Sequence, residues 1–185
     1  MPSRGRLFVV SGPSGAGKGT VVREVLSRRP DIFLSVSATT RPARPTERNG
    51  IDYHFVSPDQ FASMRERGEF LEWAEVYANF YGTPRAPVDR AQAEGKDVVA
   101  ELDIQGATMV KRARPEAVLI FIEPPSLDEL SLRLRGRGTE DHDNLSRRIK
   151  AAYEEVKRKG IYDHVLVNDD LETAVRGVLR ILEQP

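Results

Sequence analysis

Apolar residues along this chain follow two rhythms. Leu7-Phe8-Val9-Val10, Ala117 to Ile122 and Val165-Leu166-Val167 are short apolar runs, and so is the stretch Asp97 to Asp103, which ends in carboxylates. Such runs predict strands buried on both faces, and hence a parallel sheet. Between them the apolar residues recur at helical spacing: Val21, Val22, Val25 and Leu26, then Leu145, Ile149, Ala152 and Val156, and finally Leu171, Ala174, Val175, Val178, Leu179 and Leu182. Each set makes one helix face, and the first helix must stop before Pro30. From about Phe33 to Glu94 the pattern changes. A short strand is predicted at Phe33 to Val36, and a Pro-rich loop from Ser37 to Gly50. After the Asn49-Gly50 turn a strand runs through Tyr53 to Val56, and a helix starts near Ser57, Pro58 and Asp59, carrying Phe61 and Met64. A strand over Phe70 to Tyr77, a polar turn at Tyr81-Gly82-Thr83 and a helix around Val88 to Glu94 complete the interruption. The fold class is α/β, with an inserted piece of different habit.

Composition narrows the function. A chain of 185 residues fits one domain with sub-lobes. Lys plus Arg and Asp plus Glu are 28 each, so there is no basic excess of the kind a general nucleic-acid or membrane-surface binder shows. The absence of cysteine removes disulfides, thiolate zinc sites and thiol catalysis. Residues Met1 to Arg6 hold no signal-peptide core, and the apolar runs are far short of a membrane span, so the expectation is a soluble cytoplasmic protein. His54, His142 and His164 have no metal-binding spacing, and no Ser-His-Asp arrangement is readable.

The strongest chemistry lies at Gly12, Pro13, Ser14, Gly15, Ala16, Gly17, Lys18, Gly19 and Thr20. This G-x-x-x-x-G-K stretch follows an apolar strand and opens into a helix, the context in which the pattern carries mechanism. Glycines admit positive φ, so successive N–H groups can line one concavity, and the helix adds its positive dipole end. Lys18 supplies a charge for the outer phosphates of a nucleotide. A glycine turn that merely joins strand to helix is the plainer alternative, but three glycines and a lysine in register speak against it. The hydroxyl usual after the lysine is replaced by Gly19 and follows at Thr20, an ending similar to that of nucleoside monophosphate kinases.

Four further groups carry chemistry, each beside a plainer reading. Asp103 closes an apolar strand, where it would face a ligand crevice and a hydrated cation, or simply cap the following helix. Arg41 and Arg44 could clamp a phosphate with help from Tyr53 and Tyr81, or be solvated surface residues. Glu72 sits in the apolar setting Phe70-Leu71-Glu72-Trp73. Ionised, it would accept from both N1–H and the 2-amino group of guanine and reject adenine, whereas strand alternation alone points it to solvent. Arg133, Arg135 and Arg137, interleaved with Gly136 and Gly138 and followed by Arg147 and Arg148, suit a closing lid or an exposed basic helix end.

Together these stretches resemble the guanylate kinase family over about Arg6 to Leu182. The most specific match is Thr39 to Phe55, including Arg41, Arg44, Glu47, Gly50 and Tyr53. Gly68 to Trp73, Tyr81-Gly82-Thr83, Glu101 to Gly106, Arg137 to Glu140 and Val167 to Asp170 support it. The resemblance implies a P-loop kinase core with a parallel sheet flanked by helices (about 1–32, 96–126 and 150–185), an inserted GMP-binding lobe (33–95) and a helical lid (127–149), closing over the substrates. It further implies that Ser37, Glu72, Thr83 and Asp103 surround guanine, and that Arg41, Arg44, Tyr53 and Tyr81 hold its phosphate. Gly12 to Thr20 would cradle ATP, with Asn168 beside adenine, while Lys18, Arg41, Arg137 and Arg148 act on the transferred group. Mg²⁺ would accompany ATP, held mostly by phosphates and water, with Asp103 or Glu101 behind the water. The implied reaction is phosphoryl transfer from ATP to GMP or dGMP, with no nucleic-acid or membrane partner and with monomer and homo-oligomer both open. An interaction module of the same fold would have a degraded phosphate loop, and a kinase of AMP or UMP would not need Glu72 in its setting.

Overall fold

The structure, a computed structural model, describes residues 3–76, 78–135 and 142–184, apart from the side chains of 142–148. The first elements in chain order are β1 (Leu7–Ser11), α1 (Lys18–Arg28), β2 (Phe33–Ser35), β3 (Ala38–Thr39), β4 (His54–Phe55) and α2 (Pro58–Glu66). There follow β5 (Phe70–Val76), β6 (Asn79–Pro84), α3 (Arg85–Ala93), β7 (Val98–Glu101), α4 (Ile104–Ala113) and β8 (Val118–Glu123). The chain finishes with α5 (Leu127–Arg135), α6 (His142–Lys157), a 3₁₀ turn at Lys159–Ile161, β9 (His164–Val167) and α7 (Leu171–Glu183). A five-stranded parallel sheet runs β2-β7-β1-β8-β9, and a separate four-stranded sheet runs β4-β3-β6-β5. The expected α/β class and the inserted piece are both present.

The chain divides into two compact units. One comprises Phe8–Pro30, Glu101–Ile104 and Val118–Pro185. In it β1 is buried from Phe8 to Ser11, and it pairs in parallel with β8 from Phe8↔Val118 to Ser11↔Phe121. β8 in turn pairs with β9 from Ile120↔His164 to Glu123↔Val167. Burial alternates along β9, as an outermost strand with one covered face requires. Helix α7 buries Ala174, Val175, Val178, Ile181 and Leu182, and Gly177 lets the side chain of Leu166 come within contact distance. Each of the buried Val, Ile and Leu side chains stabilises by about 1.5–3 kcal/mol. Asp170 caps α7 by accepting from the Thr173 N–H at 2.8 Å. Leu130, Leu134 and Ala152 tie α5 to α6.

The other unit comprises Met1–Leu7, Asp31–Ala100 and Gln105–Ala117. β2 and β7 pair in parallel from Phe33↔Val98 to Ser35↔Ala100. The second sheet has its own core, in which Phe61 of α2 stacks on Phe70 and Phe80 at 4.5 and 5.4 Å between ring centroids, over buried Ala38. A reciprocal cap starts α2: the Ser57 hydroxyl accepts from the Gln60 N–H, and the Gln60 side chain accepts from the Ser57 N–H.

Three expectations change. Tyr81-Gly82-Thr83 is not a turn but the middle of β6, paired antiparallel with β5 through Ala74↔Tyr81, Trp73↔Gly82 and Glu72↔Thr83. Its glycine answers to packing, since a Cβ at Gly82 would sit 2.8 Å from the Phe70 ring. The reversal comes earlier, where Ala78 takes φ 60°. The stretch from Ser37 to Gly50 is not loop throughout, because Ala38–Thr39 pairs with both β4 and β6. Nor does Asp103 end a strand: β7 stops at Glu101, and Asp103 immediately precedes α4.

Candidate active site

The phosphate loop lies between β1 and α1, wholly within one unit. Gly12 at φ 144° passes so close to β8 that a Cβ would run into the Ile122 carbonyl, and Gly17 takes φ 87° at the helix entry. Helix α1 begins without a side-chain cap and without an acidic residue in its first turn. The positive end of its dipole is therefore uncapped by any side chain of its own first turn, the condition in which a helix N-terminus suits an anion. The Lys18 ammonium bends back over the loop and donates to the carbonyls of Gly12 at 2.7 Å and Pro13 at 3.3 Å. Ser14, Gly15, Gly17, Lys18, Gly19, Thr20, Arg23 and Glu101 line a pocket of about 240 Å³. Ala16 is fully buried beneath it.

Carboxylates stand behind the loop. A Cβ on Gly19 would lie 3.4 and 3.6 Å from the two oxygens of Glu101. Glycine at this position thus keeps open the space the Glu101 carboxylate faces. Glu155 of α6 is a residue that sequence reasoning does not single out. Burial pushes its carboxyl upward, opposed by the charge of Lys18 and reinforced by that of Asp103. No spacing rule marks it, because α6 shows one acid among several. Beneath the loop, the Tyr162 hydroxyl donates to the Ser11 Oγ at 2.8 Å, and burial raises the phenol to about 12.

Asn168 is buried, and its side-chain Nδ2 donates to the Ala16 carbonyl at 2.7 Å. Among the described residues no three acidic or imidazole side chains gather as a metal site. The donor set facing the pocket, a carboxylate beside backbone N–H groups, fits a hard cation that arrives on phosphates and keeps its waters.

The second sheet carries the other predicted group, within the other unit. The Arg41 guanidinium lies 5.5 Å from the centre of the Tyr53 ring and 5.9 Å from that of Phe55, while Tyr53 and Tyr81 meet edge to face at 6.0 Å. Arg41 is fixed by a two-pronged ion pair, Nη1 and Nη2 donating to Glu47 at 3.0 and 2.9 Å. That bond holds the Glu47 carboxyl below the ordinary range and raises Arg41. The sequence places Glu47 in the Thr39–Phe55 stretch but assigns it no role; an acid three residues after Arg44 is the available signal. Arg44 donates its main-chain N–H to Glu47 at 2.8 Å, and its Nη1 lies 3.9 Å from the same carboxylate; with its side chain 71% exposed it is held more loosely than Arg41.

Glu72 does not point to solvent. It is buried, and the Thr83 hydroxyl donates to its Oε1 at 2.6 Å. Ser37 is half-buried just before β3, and its carbonyl accepts from the His54 N–H. The structure thus brings Arg41, Tyr53 and Tyr81 together, and Glu72 with Thr83. Arg137 and the side chain of Arg148 lie outside the described residues.

A phosphate loop feeding an uncapped helix after a buried parallel strand, in a chain that also carries a preset arginine–tyrosine group, defines a P-loop phosphotransferase. Comparison with known proteins narrows the class. The guanylate kinase family profile matches residues 4–185. The guanylate kinase of Carboxydothermus hydrogenoformans is 50% identical over 179 residues, 97% of this chain and 88% of that one. A guanylate kinase of Thermus thermophilus is 51% identical, over 97% of this chain and 81% of its own. The crystal structure of guanylate kinase from Anaplasma phagocytophilum superposes with a TM-score of 0.82 at 36% identity, covering 97% of this chain and 85% of that chain. The chain belongs to the guanylate kinase family, enzymes that convert ATP and GMP to ADP and GDP, and it carries that activity. No helix among the described residues is long and apolar enough to cross a membrane.

Proposed function

We propose that the work of ATP:GMP phosphoryl transfer is divided between the two groups of residues described above, with dGMP accepted as well as GMP. Gly12 to Thr20 hold the donor phosphates, Lys18 leaving its loop carbonyls for the β- and γ-phosphoryl oxygens, and Asn168 belongs to the same donor half. Arg41, Arg44, Tyr53 and Tyr81 hold the acceptor phosphate. Glu72 and Thr83, joined by Ser37 and Asp103, read the guanine. The observation that carries this reading is the buried Glu72 carboxylate with the Thr83 hydroxyl on one oxygen. Guanine supplies two donors to such a carboxylate, at N1–H and the 2-amino group, whereas adenine has an acceptor at N1 and no 2-amino group and cannot supply that pair.

A GMP phosphate oxygen attacks the γ-phosphorus in line, the bond to the β,γ-bridging oxygen breaks, and ADP departs with that electron pair. The attacking group is ionised at neutral pH, so no general base is required and no covalent enzyme intermediate forms. Catalysis rests on positioning and on charge stabilisation by Lys18, Arg41, Arg137 and Arg148. Mg²⁺ on the ATP phosphates would neutralise charge there, with Glu101 or Asp103 reaching it through water. ATP and GMP are cytoplasmic metabolites, and the cytoplasm is the proposed place of action.

The test is a coupled ADP-release assay with GMP, dGMP, AMP, UMP and CMP as acceptors. Turnover with GMP and dGMP alone is expected. Turnover with AMP but not GMP would overturn the guanine assignment.

A further inference from the structure

β4 forms one edge of the four-stranded sheet, so β3 can satisfy only half of its backbone. The His54 and Val56 N–H groups donate toward β3, to the Ser37 and Thr39 carbonyls at 2.8 and 3.0 Å. Alternation along a strand turns the Phe55 N–H between them to the opposite edge. There the Asn49 Oδ1 accepts it at 2.9 Å, a side chain standing where another strand would be. The segment between Asn49 and β4 is closed on itself. Asp52 Oδ2 accepts from the Arg48 N–H at 2.7 Å, and the Arg48 carbonyl accepts from the Asp52 N–H at 3.0 Å. Gly50, at φ 78°, donates its N–H to the Tyr53 carbonyl at 2.7 Å.

This segment has a candidate phosphate group at each end. Just before it stands Glu47, the ion-pair partner of Arg41. It finishes at Tyr53, whose ring lies 5.5 Å from the Arg41 guanidinium, with the Phe55 ring at 5.9 Å. The bond between Asn49 and Phe55 therefore joins the residues that set Arg41 to the strand that presents Tyr53. All of them belong to one compact unit.

We propose that Asn49 is a positioning residue for the acceptor phosphate, holding Tyr53 and the Arg41–Glu47 pair in one arrangement without itself touching the ligand. This rests on the reading that Arg41 and Tyr53 hold the phosphate of GMP. A guanine nucleoside without phosphate draws nothing from that arrangement, so Asn49 should matter to GMP and not to guanosine.

The experiment measures GMP affinity by calorimetry without ATP, and guanosine affinity by competition against GMP, in the full chain and its variants. Asn49→Ala removes the acceptor of the Phe55 N–H. GMP should bind about three- to tenfold more weakly, the scale of one lost hydrogen bond, with guanosine unchanged. In a Tyr53→Phe background the same substitution should cost less than it does alone, because both changes act through one group. Equal weakening of GMP and guanosine would mean that the whole lobe has loosened, and no weakening of either would mean that the bond is idle. Either result, or losses that simply add in the double variant, overturns the proposal. If Asn49→Ala does not fold, Asp52→Ala opens the same segment at the Arg48 N–H and carries the same comparisons with the same outcomes. Tyr53→Phe alone separates the underlying reading: unchanged GMP affinity there means that Tyr53 does not hold the phosphate.

Discussion

The Thr83 hydroxyl donates to the Glu72 carboxylate at 2.6 Å across the β5–β6 pair, and both side chains are buried. A buried hydrogen bond to a charged group contributes about 1.5–3 kcal/mol, which orients Glu72 before any ligand arrives. Glu72→Gln replaces half of the acceptor pair with a donor, and the KM for GMP should rise about tenfold or more. Thr83→Val should raise the same KM by less, about fivefold, since the carboxylate stays but loses its orienting partner. Steady-state kinetics with varied GMP decide it; an unchanged KM in Glu72→Gln removes Glu72 from the base site.

Lys18 spans its own loop through the Gly12 and Pro13 carbonyls. Lys18→Ala should lower turnover by about 10²-fold or more, as loss of a group that stabilises transferring charge does. Arg137→Ala should act in the same direction. In both variants GMP should still bind, as measured by calorimetry without ATP, because the charge removed belongs to the transfer step.

Arg41 and Glu47 form an ion pair with side chains only 17% and 14% exposed. Glu47→Gln keeps the shape but loses the charge-assisted bond, and with Arg41 no longer preset the KM for GMP should rise about three- to tenfold. The pair also predicts a pH effect. Glu47 is depressed in the folded state, so its contribution is present above the ordinary carboxylate range and is lost as pH falls through its folded value. In urea titrations the stability advantage of the wild type over Glu47→Gln should therefore shrink on acidification below about pH 4.5.

Tyr162 behaves in the opposite sense. Its phenol is raised to about 12 by burial, against an ordinary value of 10.0. Between those values the folded chain keeps a proton that the unfolded chain has lost, so stability falls as pH rises. The wild type should lose stability relative to Tyr162→Phe by about 1.4 kcal/mol per pH unit above pH 10, and the trend should level off near pH 12. Parallel denaturation curves for the two proteins at pH 9 and pH 11 check it; equal slopes would mean burial does not hold the phenol neutral.

The sequence by itself determined the parts whose cause is local. Unbroken apolar runs such as Leu7–Val10 and Ala117–Ile122 have to be buried, and β1 and β8 are. The glycines and lysine of the phosphate loop announce their conformation, and Gly12, Gly15 and Gly17 all take positive φ. The Asn49-Gly50 turn and the helix start at Ser57 were legible for the same reason.

What only the tertiary structure decided lies in pairings between distant residues. Taken alone, the alternation of β5 would send Glu72 to solvent; β6 buries it because Thr83, eleven positions away, meets it in register. Tyr81 and Gly82 looked like turn residues because glycine is permissive, and only the Phe70 ring above Gly82 shows why it belongs in a strand. Glu155 carried no signal and Glu47 only its spacing from Arg44, since a charged residue's partner is chosen by the fold. Asn168 is the clearest case. Its position in the sequence says nothing of the carbonyl 152 residues earlier that it holds, because side-chain hydrogen bonds form only where the folded backbone brings donor and acceptor together.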